Sequence, residues 1–280
     1  MASDHSVLRG LDRLPPFSPI LNRLLASLAR EDASFGELAE VIEKDTVLAG
    51  NVLRLVNSAL YGFAGTVNSV RHAVAILGLN KLRNVAMSMS ISKLWRSVSM
   101  PEGWSSARFN IHSVATAVLS DLVAQRVPVP YPEGAFVAGL LHDVGKLLIA
   151  ISLPREYVAI QTLFSRGTRA LEECEQEVIG ATHSVLSGVV LEKWNLPPPI
   201  RRAVTFHHSP QQGDQGQLEL SHVVQAADRI ALDLGHTLLP AGDGPPPAPG
   251  AMLEGLGLDS QMPGLLEQFH SEFEVLRTFF

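Results

Sequence analysis

Apolar residues recur every three or four positions along most of the chain, which is the spacing of one face of an α-helix. Leu21, Leu24, Leu25 and Leu28 form such a face near the start. Alternating apolar and polar residues, which would favour a β-strand, do not extend over any useful length. The pattern therefore predicts an all-α fold.

Capping and stop residues divide the first hundred residues into about five helices. Ser34 has Glu37 three positions later, which is the spacing of a capping box, and Asp45 lies where the next helix should begin. Gly78 is expected to end a short helix, and Leu82 to begin a longer one. Each of these helices is apolar on one face, so together they can bury a core.

Changes in composition indicate the domain organisation. Pro101 and Gly103 separate the first set of helices from a second, and a stretch rich in proline and glycine follows residue 238. We therefore expect two packed helical subdomains, followed by a loop and a last amphipathic helix. The predicted limits are a loose leader at 1–13, subdomains at 14–100 and 101–238, and the loop with the C-terminal helix at 239–280.

Composition narrows the classes of partner. The net charge of −6 and the pI near 5.9 argue against nucleic acid, because phosphate binding needs clustered Lys and Arg. We find no apolar run of the roughly 18 residues that a membrane span requires and no signal peptide in Met1–Ser6, so no membrane partner is expected. The single cysteine, Cys174, fits a reducing compartment, and we expect a cytoplasmic protein.

A series of histidines and aspartates is the main chemical signal. Imidazole and carboxylate groups together favour first-row divalent metals, and the intervals between the members are each about one helical hairpin. Successive helices can therefore deliver these side chains to one point. The candidate metal ligands are His112, His142, Asp143, His183, His207, His208 and Asp228.

Helical spacing supports an inward position for several members. His112 shares a face with Ala115 and Leu119, and Asp228 shares one with Val224 and Ala231. A carboxylate within an apolar stripe is costly to bury unless a metal or a cation accompanies it. The spacing therefore favours a metal site over isolated buried residues.

Each residue also has a simpler interpretation when it is taken alone. His112 or His183 could be a hydrogen-bonded core histidine, and His207–His208 could be a helix C-terminus that suits protonated imidazole. Asp228 could form a surface ion pair with Arg229, and Lys146 could be a solvated lysine in a turn. The joint pattern is what favours the metal site.

A metal bound at these residues would allow phosphate-ester hydrolysis. It would acidify a bound water to give a nucleophile near neutral pH. Lys146, three residues beyond Asp143, could then contact a phosphate oxygen.

The chain resembles a known family, the HD superfamily of metal-dependent phosphohydrolases, and within it the HDOD (HD-related output domain) branch. The resemblance covers roughly residues 14–235. It is carried by Leu14-Pro15, Leu38, Ile42, Asp45, Val52–Ala59, Ala75–Leu79, Leu82-Arg83, Gly139–Lys146 with the His142-Asp143 dipeptide, His183, Gly188, Trp194–Pro197 and His207-His208.

This resemblance implies an all-helical fold, with an HD-type bundle as the second subdomain, and a role in bacterial signal transduction. It implies that His112, His142, Asp143 and Asp228 are the core metal ligands. His183, His207 and His208 would then serve a second metal or the substrate. HDOD members are usually regulatory and often have degenerate metal sites, whereas the ligand set of this chain is complete.

The chain is also similar to the HD-GYP branch, which hydrolyses cyclic di-GMP. However, Ser209–Gly213 follows His208, and no Gly-Tyr-Pro motif is present there. This difference argues against cyclic di-GMP as a substrate.

Two functions of different classes follow. The first is a regulatory HDOD protein with a retained HD-type metal site, which acts by binding a protein signalling partner or a small nucleotide-like ligand. The alternative is a metal-dependent phosphodiesterase on a nucleotide or cyclic dinucleotide, with Lys146 and Asp143 as catalytic residues. In both, the expected cofactor is one or two divalent ions, with Fe, Mn or Zn favoured by mixed His and Asp ligation.

Overall fold

The computed structural model describes residues 11–29, 35–58, 65–95, 100–167, 169–213, 216–239 and 256–279. Every regular element within these ranges is a helix, with no β-strand among them, which confirms the predicted all-α class. Most helices are short, so the fold is built from many tight connections. Besides the single turn Pro210–Gly213 and short 3-10 turns, the α-helices of these ranges are α1 Pro19–Ala26, α2 Phe35–Glu43, α3 Thr46–Val56, α4 Val70–Leu77, α5 Leu79–Trp95, α6 Ser106–Ala124, α7 Ala135–Leu141, α8 Val144–Ser152, α9 Pro154–Phe164, α10 Leu171–Ile179, α11 His183–Lys193, α12 Pro198–Thr205, α13 Leu220–Asp233 and α14 Met262–Arg277.

The described residues form two compact units. The N-terminal unit comprises Pro16–Ser97 and Glu274–Phe280, and the C-terminal unit comprises Met1–Pro15 and Val98–Phe273. The division after residue 97 lies close to the predicted subdomain limit. It also places most of α14 with the C-terminal unit, where the sequence left the position of this helix open.

Side-chain caps fix the helix ends of the N-terminal unit. The Asp45 carboxylate accepts hydrogen bonds from the backbone N–H groups of Val47 and Leu48, both at 3.0 Å, as expected of an N-cap. The Asn57 side chain accepts from the Val67 N–H at 2.8 Å and donates to the Val67 carbonyl at 2.7 Å. These bonds join the end of α3 to the segment that leads into α4. The predicted cap at Ser34 lies outside the described residues.

The junction of α4 and α5 differs from the sequence prediction. Gly78 has φ +80°, a left-handed conformation that glycine adopts without a side-chain clash. The chain therefore turns within this one residue, and α5 begins at Leu79 rather than at Leu82. Gly78 is therefore the only residue between α4 and α5, whereas the sequence predicted a break that extends to Leu82.

Helix α6 is central to the C-terminal unit and packs against α7 and α13. The segment Pro132–Ser152, which contains α7 and α8, has a mean hydropathy of 1.6 over its most apolar window and is long enough to cross a membrane. Its length and hydropathy differ from the expectation that no apolar run reaches the length of a membrane span. That window is entirely buried inside the unit, so the segment belongs to the core, and it contains His142, Asp143 and Lys146.

The two ends of the described chain also pack on the C-terminal unit. Residues Leu11–Arg13, predicted as part of a loose leader, form a 3-10 turn in which Leu11 is buried and Asp12 pairs with Lys193 at 2.6 Å. In α14, Phe269 and Phe273 are buried and their rings stack 5.1 Å apart. Apolar burial therefore explains why these terminal segments are ordered.

We predict that Gly139→Ala destabilises the C-terminal unit. A Cβ at this position would lie 2.6 Å from Ser120 Oγ and 2.7 Å from the Thr116 carbonyl oxygen, so α7 would have to move away from α6. Overpacking of this kind typically costs about 1–3 kcal/mol. Urea unfolding in the presence of a chelator measures the loss.

The matched control is Gly264→Ala, in the exposed first turn of α14, where an added Cβ meets nothing within 4 Å. We expect this variant to be as stable as the wild type, or more stable by up to about 1 kcal/mol. Equal unfolding midpoints for the two variants would contradict the close packing of α6 and α7.

Candidate metal centre

All seven predicted ligands come together in the C-terminal unit. Most of them lie at or beside helix ends, where a side chain can point inward without disturbing the helical hydrogen bonds. His112 is on α6 and Asp228 on α13, His142 and Asp143 lie between α7 and α8, His183 begins α11, and His207 and His208 follow α12. Three helix connections thus deliver five of the ligands, and α6 and α13 deliver the other two from within the helix.

One half of the cluster contains His112, His142 and Asp228, together with Oδ2 of Asp143; we call it the carboxylate half. The Nε2 atoms of His112 and His142 are 3.2 Å apart. Asp228 Oδ1 lies 3.2 Å from His112 Nε2 and 3.5 Å from His142 Nε2, and Asp143 Oδ2 lies 3.3 Å from His112 Nε2. Two imidazoles and two carboxylates therefore face one point.

The other half contains His183, His207 and His208, together with Oδ1 of Asp143; we call it the three-histidine half. The Nε2 atoms of His183 and His208 are 2.9 Å apart. Asp143 Oδ1 lies 3.4 Å from His183 Nε2 and 4.0 Å from His207 Nε2. Asp143 thus presents one carboxylate oxygen to each half of the cluster.

Every imidazole of the cluster is oriented by a hydrogen bond at Nδ1. Carbonyl oxygens only accept, so the Nδ1 atoms bonded to them must donate, and Nε2 of each neutral ring is then left with a lone pair. The bonds run from His112 to the His236 carbonyl at 2.8 Å, from His142 to the Gly139 carbonyl at 2.7 Å, from His207 to the Val204 carbonyl at 2.7 Å, from His183 to Glu175 at 2.8 Å and from His208 to Glu172 at 2.8 Å.

These residues fit a divalent metal. Two lone pairs that face each other at 2.9–3.2 Å repel unless a cation lies between them, and cis ligands of an ion with bonds near 2.1 Å are about 3.0–3.4 Å apart. Asp143 Oδ1, Asp228 Oδ1 and His207 Nε2 are buried and make no hydrogen bond of good geometry to the described residues. A cation would satisfy all three atoms.

The two aspartates determine the protonation of the carboxylate half. Burial alone would lower the pKa values of His112 and His142, but the carboxylates of Asp143 and Asp228 outweigh it and raise them to about 10 and about 9. Conversely, burial would raise the pKa of Asp143, but His142 and Lys146 hold it well below its usual range. In the absence of metal, protons thus supply part of the positive charge that the carboxylates require.

Protonation differs within the three-histidine half. Burial, together with the neighbouring His208, His142 and His183, holds the pKa of His207 well below its ordinary value, so its Nε2 remains a lone-pair donor. The hydrogen bond to Glu172 overcomes burial and raises the pKa of His208. The same contact lowers the pKa of Glu172 to about 2, although its burial acts in the opposite direction.

Several of the simpler interpretations are wrong. Asp228 is buried beside His112, and Arg229 pairs instead with Asp233 at 2.7 Å. Lys146 is not a solvated turn residue, because it lies in α8, is 5% exposed, and its Nζ is 2.9 Å from Asp143 Oδ2. Its ammonium group therefore contributes charge to the cluster.

Two glutamates that orient His183 and His208 were not among the residues predicted for the site. Glu172 and Glu175 belong to an acidic run around Cys174, which has the composition of a solvated helix face. Glu175 is buried, and it lies four residues after Leu171 and four before Ile179, both also buried. The available signal was a carboxylate at helical spacing within an apolar face. The same signal identified Asp228.

Gly145 allows α8 and α11 to approach closely at the cluster. A Cβ at this residue would lie 2.0 Å from the His183 carbonyl oxygen, and the Gly145 N–H donates to Ser187 Oγ at 2.7 Å. Only glycine fits at this crossing. The approach places Asp143 and His183 within reach of each other.

Comparison with protein families identifies the chain. The sequence profile of the HDOD domain matches residues 14–210, which is more than half of the protein. The chain belongs to the HDOD domain family. This result confirms the resemblance derived from the motifs.

Solved structures have the same fold. An HDOD domain protein of unknown function from Geobacter sulfurreducens is 25% identical with a TM-score of 0.81, and the match covers 100% of this chain and 97% of that one. A protein from Marinobacter aquaeolei VT8, provisionally described as a signal transduction protein, is 22% identical (TM-score 0.76; 99% and 66% covered). One from Shewanella amazonensis SB2B, provisionally described as a phosphohydrolase, is 23% identical (TM-score 0.74; 98% and 97% covered). At these identities the last two establish the fold alone.

Two curated relatives are longer proteins without an assigned function. An uncharacterized protein of Treponema pallidum (strain Nichols) is 21% identical over 210 residues, which are 73% of this chain and 39% of that protein. The uncharacterized protein YuxH of Bacillus subtilis (strain 168) is 27% identical over 126 residues, 45% of this chain and 30% of that protein. The matches thus span well under half the length of either relative.

We predict that the metal-free protein loses stability as pH rises from 7 to 8.5. The raised pKa values of His112 and His142 mean that the folded state holds at least one proton that the unfolded state releases above pH 6.5. This contribution is complete below pH 6.5 and is lost as pH rises towards 9–10, at about 1.4 kcal/mol per pH unit per proton. Urea unfolding with a chelator at several pH values measures the slope.

The control for this prediction is the metal-loaded protein, in which the ion replaces those protons and the slope should be smaller. His207 acts in the opposite direction, but only near and below pH 6.5, outside the range tested. A metal-free protein that becomes more stable between pH 7 and 8.5 would contradict the proposed protonation of the carboxylate half.

Proposed function

We propose that this chain is a bacterial HDOD signalling protein that retains an HD-type centre, in which the two halves of the cluster, with Asp143 between them, would hold two divalent ions. The observation that carries the proposal is the inward orientation of all five imidazoles, each with Nδ1 held by an acceptor and Nε2 directed at the cluster. Oriented ligands of this kind are characteristic of metal sites rather than of core histidines.

The arrangement of Asp143 supports two ions rather than one. Its two carboxylate oxygens face different halves of the cluster, and each half offers three further ligand atoms. His112, His142 and Asp228 would hold the first ion, and His183, His207 and His208 the second. The mixed nitrogen and oxygen donors favour Fe, Mn or Zn.

Burial supports a regulatory role over a catalytic one. His112, His142, Asp143, His183 and His207 have no exposed surface. The side chain of His208 is 26% exposed and that of Asp228 is 9% exposed, so the cluster meets solvent at its margin only. A phosphodiester that reached both ions would require these side chains to move apart.

We propose that the protein acts by binding a protein signalling partner or a small nucleotide-like ligand, in a cytoplasmic setting. The family relationship and the Marinobacter protein of the same fold support a signalling role. Neither the net charge of −6 nor the buried position of Pro132–Ser152 favours nucleic acid or a membrane as the partner.

A second candidate function is metal-dependent phosphodiester hydrolysis. The contact of Lys146 with Asp143 favours it, because a phosphate held at the cluster would have this ammonium group beside it to stabilise its negative charge. When bound, the ions would supply an acidified water as the nucleophile. Lys146 would hold a phosphate oxygen and Asp143 would orient the ligands, and the Shewanella protein of the same fold gives this alternative some support.

Metal analysis tests the proposed centre. We expect wild-type protein, reloaded and desalted, to hold about two ions per chain. His142→Ala removes a ligand from the carboxylate half and should lower the affinity of one ion at least about tenfold, whereas Asp143→Asn should weaken both. The measurement is metal content by mass spectrometry.

His270→Ala is the control variant, because His270 is exposed and its Nδ1 bonds only to the Leu266 carbonyl of its own helix. It should retain wild-type metal content. Wild-type protein that folds normally and binds fewer than two ions per chain on reloading would overturn the proposed two-ion centre.

Turnover separates the two candidate functions. On the regulatory proposal, metal-loaded protein hydrolyses neither bis(p-nitrophenyl) phosphate nor cyclic dinucleotides above the rate of Asp143→Asn. Turnover that requires metal and disappears in both Asp143→Asn and Lys146→Met would favour the phosphodiesterase instead.

A further inference from the structure

The two halves of the metal centre differ in what orients their histidines. In the carboxylate half, His112 and His142 donate to backbone carbonyls. In the three-histidine half, His183 and His208 donate to the carboxylates of Glu175 and Glu172. A carboxylate partner holds an imidazole more firmly and makes its Nε2 a stronger ligand than a carbonyl partner does.

Both glutamates belong to α10, a helix that supplies no ligand of its own. They are three residues apart and therefore lie on the same helix face. Glu175 is buried and also accepts the backbone N–H of His183 at 2.8 Å, which fixes the first residue of α11. Glu172 is one-quarter exposed, as is its partner His208.

The opposite face of α10 has a different role. Glu173 and Glu177 are more than half exposed and contact Arg169, which lies before the helix. They make no contact with the cluster. The acidic residues of α10 thus divide into a pair that orients histidines and a pair that binds a surface arginine.

Solvent reaches the three-histidine half through the contact of His208 with Glu172. The histidines of the carboxylate half are fully buried, whereas this contact is about one-quarter exposed on both sides. An ion in the three-histidine half can therefore leave after one exposed side chain turns outward. An ion in the carboxylate half would face the fully buried His112 and His142 and the Asp228 side chain, which is only 9% exposed.

We propose that Glu172 and Glu175 are positioning residues that make the three-histidine half a separately adjustable and exchangeable metal site. This inference rests on the proposed two-ion centre and adds its regulation. Loss of the contact with either glutamate weakens the hold on one ion, while the carboxylate half keeps the other. The protein then has a one-ion state and a two-ion state.

Titration of metal-free protein with Co²⁺ tests the inference, because its visible absorption reports ligand geometry as each equivalent binds. We expect wild type to bind two equivalents. Glu172→Gln and Glu175→Gln should bind the first with wild-type affinity and the second about 10–100-fold more weakly. A chelator should remove the second equivalent from wild type in a separate, faster phase, which Glu172→Gln accelerates.

Glu177→Gln is the matched control, since it makes the same chemical change on the same helix without contact to a histidine, and it should behave as wild type. Thermal unfolding of each metal-free variant shows whether the substitution alters folding. If buried Glu175→Gln does not fold, the Glu172→Gln variant still carries the test, because the contact of Glu172 with His208 is about one-quarter exposed.

The outcomes distinguish the positioning role of the two glutamates from the two-ion centre on which it rests. Wild type that binds two equivalents, with both glutamine variants binding both at wild-type affinity, overturns the role of α10 alone. Equal weakening of both equivalents also overturns it, because a site-specific positioning role cannot reach the carboxylate half. Wild type that binds fewer than two equivalents overturns the proposed two-ion centre, and the inference with it.

Discussion

The rest of the C-terminal unit depends on the burial of the Asp143 carboxylate. An ionised carboxylate without water is costly by several kcal/mol unless positive charge and hydrogen-bond donors surround it. Here that charge is supplied by Lys146 and by protons or an ion shared with the imidazoles. The helices that bring these groups together, α6, α8, α11 and α13, are also the ones that form the core. Any change in the packing of these helices therefore also changes the distances between the charged groups of the cluster.

Two kinds of contact make this arrangement specific. Close backbone approaches, such as α8 against α11 at Gly145, set the distance between ligands that are far apart in the sequence. Hydrogen bonds at Nδ1 then set the rotation of each ring. Distance and rotation are both needed, because a ligand nitrogen must lie within a few tenths of an ångström of its place to bind a metal well. The packing of the helices sets the distances between ligands, and local backbone carbonyls set the rotation of most of the rings.

Much of this was predictable from the sequence, and the reason is periodicity. A buried aspartate such as Asp228 interrupts an apolar stripe, which is visible in the sequence. The intervals between the histidines match the length of a helical hairpin, which is visible as well. Glu175 lies in the same kind of stripe but was hidden in an acidic run that resembles a solvated face. The close approach at Gly145 and the pairing of Arg229 with Asp233 depend on tertiary contacts between helices, which no local pattern contains.

The C-terminal helix has a consequence for the centre that its composition does not suggest. His112 donates to the backbone carbonyl of His236, and the ring of His236 packs 4.5 Å from that of Phe273 on α14. The tautomer of one ligand is thus held by a carbonyl whose residue is anchored on the last helix. Although α14 contains no ligand, a chain shortened before it would lose the support for an imidazole more than a hundred positions earlier. Truncation before α14 would therefore remove part of the C-terminal unit and, at the same time, change the environment of the ligand His112.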